Sequence, residues 1–249
     1  MPTRRHSHTL RVLTSNSQRG VLAALGPDFE RKNGWRLDMS YDPAQVMLRR
    51  IAGGESADVA ILSRAAIDTL IEQGKIERES LRGIARCGAG IAVKQGATKP
   101  DISSVDALKR SLLAVKSIIF TSEGASGIHF ARVIEELGIA AEIRAKAHQQ
   151  TGGLVATRVA SGEIELAVQQ IPELLAVPGI DLVGPLPEPV QAYSQVTGGA
   201  FATSHHRGGA QELLDFLITP TAARVMQSLG LEPVMGLCVS DVEPKGSGC

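Results

Sequence analysis

Aromatic residues make up only 3% of this 249-residue chain, and its charges cancel, with 26 Lys and Arg against 26 Asp and Glu. A nucleic-acid partner needs a basic face or a row of stacking rings, so both scarcities argue against bulk recognition of DNA or RNA. No stretch approaches the roughly 18 consecutive apolar residues of a membrane span, so no membrane insertion is expected. Only three cysteines occur, Cys87, Cys238 and Cys249. Their spacing fits no metal site and their odd number cannot form a fully paired disulfide set, so reduced thiols, no metal and no cofactor are expected. The P-loop lysine pattern, the dinucleotide glycine fingerprint and the nucleophile elbow are all missing. The basic beginning Met1-Pro-Thr-Arg-Arg-His-Ser-His also lacks the apolar stretch of a secretion signal, since Leu10 to Leu13 is broken by Arg11 and gives way to Thr14-Ser-Asn-Ser. As written, the chain is expected in the cytoplasm, and in the periplasm only if a leader precedes it.

What is present is a chain with 43% apolar residues, able to bury a sizeable core. Short β-rich runs alternate with helical periodicity from end to end, which predicts an α/β protein with a mostly parallel sheet. Thr9 to Thr14 reads as the first strand, and Val21, Leu22, Leu25 and Phe29 then share one helical face. Asn33-Gly34 stops that helix. Lys116 to Thr121 is a β-branched strand, and Phe130, Val133, Ile134 and Leu137 give the spacing of a helix launched from a glycine-rich loop. A strand is expected from Ile143 to Ala147 and another from Leu166 to Gln169. The proline-dense segment from Pro172 to Pro189 reads as irregular apart from Ile180 to Val183. Two extended crossings, 88–94 and 195–203, divide the chain into an outer set, 9–87 plus 204–236, and an inserted set, 95–194, followed by a tail at 237–249. Each set has strands and helices enough for its own small doubly wound sheet, with ligand expected between them where strand ends meet.

Two loops carry the chemistry of an anion site. A helix start leaves up to four backbone N–H groups unpaired and carries about half a positive charge. Ser15, Asn16 and Ser17 precede one helix, and Gly124, Ala125, Ser126 and Gly127 open another, one in each expected set. Small residues let backbone approach a ligand and hydroxyls add neutral donors, although a Ser/Asn turn ordinarily serves only as a cap. Arg19 offers a charge for a carboxylate, and Gln169 and Gln170 end an apolar strand, where alternation allows one amide to face the crevice. Thr151 lies close to a strand end, beside His148. If the site performs chemistry, His129, His148 and Glu123 are the candidate bases. His205-His206 has no third ligand spaced for zinc.

Four segments resemble the molybdate-binding and related extracellular solute-binding proteins of the type II periplasmic-binding superfamily. They are Val12-Leu-Thr-Ser-Asn-Ser17 with Phe29-Glu-Arg-Lys-Asn-Gly34; Met47 through Ala57-Asp58-Val; Gly124-Ala-Ser-Gly-Ile-His-Phe-Ala131; and Asp215-Phe-Leu-Ile-Thr-Pro-Thr-Ala222 through Gly230-Leu-Glu-Pro233. The resemblance implies two lobes joined by two hinge strands that close on a small anion, an oxyanion or a carboxylate, with an ABC transporter as partner if the chain is exported. It places Ser17 at the family's first-loop serine and Ala125-Ser126-Gly127 at its third contact loop. Pro43-Ala44-Gln45 stands where the family has a second serine, leaving Gln45 as the nearest polar side chain, and Gln169 or Gln170 stands where it has a tyrosine. The chain also resembles the branch of this superfamily that includes aconitate isomerase, through the same glycine-rich loop and through Gln169-Gln-Ile-Pro-Glu-Leu-Leu. That branch implies a 1,3-proton shift on a small di- or tricarboxylate as the alternative to binding alone.

Overall fold

The computed structural model describes residues 8–234; Cys238, Cys249 and the expected tail at 237–249 lie outside the described residues. In chain order the strands are β1 (Thr9–Thr14), β2 (Arg36–Tyr41), β3 (Val59–Ser63), β4 (Arg82–Lys94), β5 (Ile118–Thr121), β6 (Ala147–Gln150), β7 (Leu166–Gln170), β8 (Ile180–Pro185), β9 (Tyr193–Ala200) and β10 (Glu232–Pro233). The helices are α1 (Arg19–Asn33), α2 (Ala44–Ala52), α3 (Arg64–Glu72), α4 (Val105–Ala114), α5 (Ala125–Glu136), α6 (Ala140–Arg144), α7 (Thr157–Ala160), α8 (Ile171–Leu175), α9 (Arg207–Leu217) and α10 (Pro220–Ser228).

The strands form one continuous path, β2-β1-β3-β9-β4-β7-β5-β6, with β8 and β10 also on β4. The two strand sets expected from the sequence are thus joined through β4. The thirteen residues of β4 are long enough to serve both strand sets: Arg82 to Gly88 pair with β9, and Ala89 to Val93 pair with β7. Directions matter more than the path. The strands β1, β2 and β3 run parallel, as do β6, β5 and β7. Because β3 is antiparallel to β9, β9 to β4 and β4 to β7, the two parallel sets run in opposite senses, and their C-terminal ends face each other across β4.

Strand alternation sorts the side chains into cores on both faces of each set. Leu10, Val12, Val59 and Ile61 pack with α1, α9 and α10, whereas Leu13, Ala60 and Leu62 pack with α2 and α3 on the other face. In the second set Ile118, Phe120 and Val168 meet α4, α5 and α6, and Ile119 and Ala167 meet α7 and α8. The ring of Phe120 meets that of Phe130 edge-on at 5.1 Å, which pins α5 against β5 and so fixes the glycine-rich loop between them. The helix α1 ends as its sequence implies: Gly34 takes φ 75° and its N–H bonds the Glu30 carbonyl. The strand expected from Ile143 to Ala147 is instead helix α6, because Ile139, Ala140 and Ile143 reach the core at helical spacing, and β6 starts only at Ala147.

Asp58 shows what the Ala-Asp-Val run does. Its buried carboxylate accepts the Arg11 backbone N–H at 2.9 Å and the Ser204 hydroxyl at 2.6 Å, tying β1 to the segment before α9. Asp58→Ala orphans both donors, and about 2 kcal/mol lost to unpaired partners of a charged group lowers the melting temperature by roughly 4–8 °C in a chain of this size. Calorimetric scans of the two proteins check it; an unchanged midpoint would show the carboxylate to be idle.

Candidate functional site

A cavity lies where the strand ends meet. It is lined by Ser15, Asn16 and Ser17 after β1, Ser63 at the end of β3, Thr121 at the end of β5 with Gly124 and Ala125 beyond it, and Gln169, Gln170 and Glu173 around the end of β7. Pro43 and Ala44 at the start of α2, and Ser194, Gln195 and Val196 in β9, complete the wall. This is the crevice outside the carboxyl ends of parallel strands, where ligands of open α/β sheets bind.

Five helical starts border it: the 3-10 turn Asn16–Gln18 leading into α1, then α2, α3, α5 and α8. None has a side-chain cap at Ser15, Pro43, Ser63, Gly124 or Gln170. Away from the cavity, α4 and α10 are capped by Ser104 and Thr219, whereas α6, α7 and α9 are uncapped as well. The N–H groups of these first turns receive no bond from the side chain at the cap position, which leaves them open to an anion in the cavity. The hydroxyls of Thr121 and Ser126, 3% and 4% exposed, have no hydrogen-bond partner among the described residues. Buried hydroxyls without partners are costly, and at an uncapped helix start they suit an acceptor-rich ligand. Glycine is required here by close approach: a Cβ on Gly127 would lie 1.7 Å from the Thr121 carbonyl oxygen, and one on Gly124 2.3 Å from the Thr121 Oγ1.

Glu173 is the one titratable side chain among the described lining residues. It sits in the first turn of α8, which follows β7 directly and carries Pro172 where a helix tolerates it. Burial pushes its carboxyl up to about 8, against weaker opposing effects of the Gln170 backbone, the Gln169 amide and the Arg19 charge. A carboxyl held neutral up to mildly alkaline pH, yet open to the cavity, has the proton affinity of a general acid or base.

The structure brings together part of the residue set expected from sequence. Ser15, Asn16 and Ser17 reach the wall, with Ser15 and Ser17 hydroxyls 2.9 Å apart. Ala125 lines the cavity, and Ser126 and Gly127 are buried beside it. Gln169 and Gln170 both reach the wall, but their amides serve the protein: Gln169 bonds the Val155 N–H and the Gly153 carbonyl, and Gln170 bonds Cys87 and Ser194. Arg19 lies outside the wall, its guanidinium 4.2 Å from the centre of the Tyr41 ring, so it acts on the site by charge at a distance. Gln45 and Thr151 are exposed and are not among the residues that line this cavity, whereas Pro43 and Ala44 are.

The three bases expected from sequence stand elsewhere. His129 turns its Nε2 to the Val190 carbonyl at 2.8 Å, away from the wall. His148 is exposed on β6. Glu123 is ion-paired with Arg49 of α2, a contact that joins the two strand sets beside the cavity rather than inside it. Glu173, Ser63, Thr121, Ser194 and Gln195 were not singled out in the sequence. For Glu173 the signal was present, a strand ending in Gln169-Gln170 followed at once by Ile-Pro-Glu. Among the described residues no cluster of three metal-binding side chains occurs, and no helix is long and apolar enough to cross a membrane.

The model of the bacterial extracellular solute-binding protein family matches residues 10–232, nearly the whole described chain. The chain belongs to that family. Among its relatives, an aconitate isomerase from Pseudomonas sp is 34% identical over 232 residues, covering 91% of this chain and 88% of the relative. Solved structures share the family fold at lower identity. The periplasmic molybdate-binding protein of Azotobacter vinelandii superposes with TM-score 0.76 at 15% identity, over 92% of this chain and all of the other. The sulfate-binding protein of Mycobacterium tuberculosis superposes with TM-score 0.72 at 20% identity, over 91% of this chain and 87% of the other. The α/β architecture of this family member is thus that of periplasmic binding proteins.

Proposed function

We propose that this solute-binding family member is an isomerase of a small unsaturated tricarboxylate of the aconitate type, with Glu173 as its base. The observation that carries this reading is a single carboxyl of raised proton affinity in a cavity otherwise walled by hydroxyls, amides and uncapped helix starts. The two strand sets act as lobes that close on the ligand about β4 and β9. Helix-start N–H groups and the hydroxyls of Thr121 and Ser126 hold the carboxylates and the negative charge that develops as a proton leaves. The ionised Glu173 takes a proton from the saturated carbon next to the double bond; the electron pair moves through the conjugated system, and the double bond shifts. The protonated Glu173 then returns a proton to the far carbon of the three. Nothing is oxidised or reduced, and no second base is needed.

The test is aconitate in deuterated buffer, followed by proton NMR for interconversion of its isomers and deuterium entry at the allylic carbons. Because the base must be ionised, kcat/KM is expected to climb with pH through about 8, the value to which burial raises Glu173. Neither isomer conversion nor exchange at any pH between 6 and 10 would dismiss the isomerase. A second reading, binding without chemistry, is favoured by the uncapped helix starts and orphan hydroxyls, which hold an anion with no help from a base. It predicts saturable uptake of molybdate, sulfate or a carboxylate with no exchange.

A further inference from the structure

Behind the cavity, at the point where the two strand sets share β4, three side chains from three strands form a chain of hydrogen bonds. Cys87 of β4, 1% exposed, gives its thiol hydrogen to Gln170 Oε1 at 2.8 Å, and Gln170 Nε2 donates to Ser194 Oγ at 3.0 Å. The pairing of strands puts them there, since Cys87 lies opposite Ser194 of β9, and Ala89, two residues on, lies opposite Gln170 of β7. The polarity of this chain is set at its buried end. Sulfur accepts hydrogen bonds poorly, and burial keeps the thiol protonated by pushing it well above the usual thiol range, so the amide must turn its oxygen to Cys87 and its N–H₂ to Ser194. One of the two acceptor positions of the Ser194 oxygen is then taken, and its hydrogen has no partner among the described residues. Ser194 also lines the cavity.

We propose that Ser194 is a ligand-binding residue whose hydroxyl is fixed as a hydrogen donor by the Cys87–Gln170 relay, selecting ligands that present an acceptor at that wall. The inference rests on the reading of the cavity as an anion site, not on turnover. Its consequence is a preference: a carboxylate oxygen at this wall receives the free Ser194 hydrogen, whereas a group that can only donate must use the one remaining lone pair and leaves that hydrogen unpaired. Cys87 and Gln170 touch no ligand and act as positioning residues.

Full-length Ser194→Ala, Cys87→Ala and Cys87→Ser are titrated calorimetrically with trans-aconitate and with molybdate, and assayed for isomerisation. Loss of one hydrogen bond to a charged acceptor is expected to weaken binding by Ser194→Ala about tenfold, with KM rising more than kcat falls. Cys87→Ala, which frees the amide to turn over and consume the Ser194 hydrogen, is expected to weaken binding in the same direction. Cys87→Ser restores a donor to Gln170 and is expected to recover at least half of that loss, which a mere packing defect would not allow. Ser194→Ala binding as tightly as wild type, or Cys87→Ser behaving like Cys87→Ala, overturns the relay. Binding without turnover that still weakens in Ser194→Ala removes the isomerase reading and keeps this one, whereas wild-type protein that binds neither anion removes both.

Discussion

Glu173→Gln is expected to lower kcat for isomerisation by about 10²–10⁴-fold, the usual contribution of a positioned acid or base, while the anion still binds. Glutamine keeps the shape and the polar contact with Gln169 and Gln170 but cannot take a proton. No other described side chain in the cavity wall can substitute, because serine, threonine, asparagine and glutamine do not ionise near neutral pH. Affinity for a polyanion should hold below pH 8, where the carboxyl is neutral, and improve above it, where the substitution removes a negative charge. The same substitution reports on stability with the opposite pH sense. A carboxyl whose folded pKa is raised from 4.5 to about 8 contributes its stability in full below its ordinary value, and that contribution is lost as pH climbs through 8. The Gln variant carries no such titration, so at pH 9 it should melt above wild type by roughly 3 °C or more. A variant that turns over at the wild-type rate removes Glu173 from the mechanism, and one that is no more stable at pH 9 shows that its carboxyl is not desolvated.

Gly127→Ala is expected to disable the glycine-rich loop. The added carbon would lie 1.7 Å from the Thr121 carbonyl oxygen and 2.8 Å from its Oγ1. That carbonyl belongs to the last residue of β5, so relief comes only by lifting the first turn of α5 away from the sheet. Overpacking of flexible side chains costs about 1–3 kcal/mol, and a clash with fixed backbone lies at or above the upper end, equivalent to a fall of roughly 6–12 °C in melting temperature. Because the shift moves the uncapped N–H groups and the Ser126 hydroxyl together, anion binding should fall with stability. Gly208→Ala is the control: it sits in the first turn of α9 with open space around it, and there alanine should leave stability unchanged or slightly higher. If Gly127→Ala melts and binds like wild type, the loop is not a close-packed cradle.

His129, His148 and Glu123 stand outside the wall that Glu173 joins, for reasons that no local pattern carries. His129 and Glu123 flank a loop that does reach the cavity, but α5 rotates His129 toward Val190, and the ion pair with Arg49 holds Glu123 outside. Only the packing of one strand set against the other decides such angles. Glu173 was hidden by proline: the stretch from Pro172 reads as irregular, yet a proline in the first turn removes an N–H that no helix uses, so α8 forms and points its first-turn carboxyl at the cavity. The strand expected from Ile143 to Ala147 failed for a related reason, since apolar residues three or four apart in a five-residue helix look much like a short buried strand.

Alternation of β-rich and helical segments determined the α/β class, and the Ser15-Asn16-Ser17 and Gly124-Ala125-Ser126-Gly127 loops marked two of the helix starts at the cavity, because backbone needs that local can be read from residue type alone. What only the tertiary structure decided was the sharing of β4 between both strand sets, the opposed directions that bring four strand ends together, and the desolvation of a single carboxyl among them. Those depend on contacts between residues far apart in the chain: Cys87 beside Ser194, Gln170 beside both, and Glu173 in a wall built from eight separate segments. Proton affinity belongs to that environment rather than to glutamate as a residue type, so it came into being only when the chain folded.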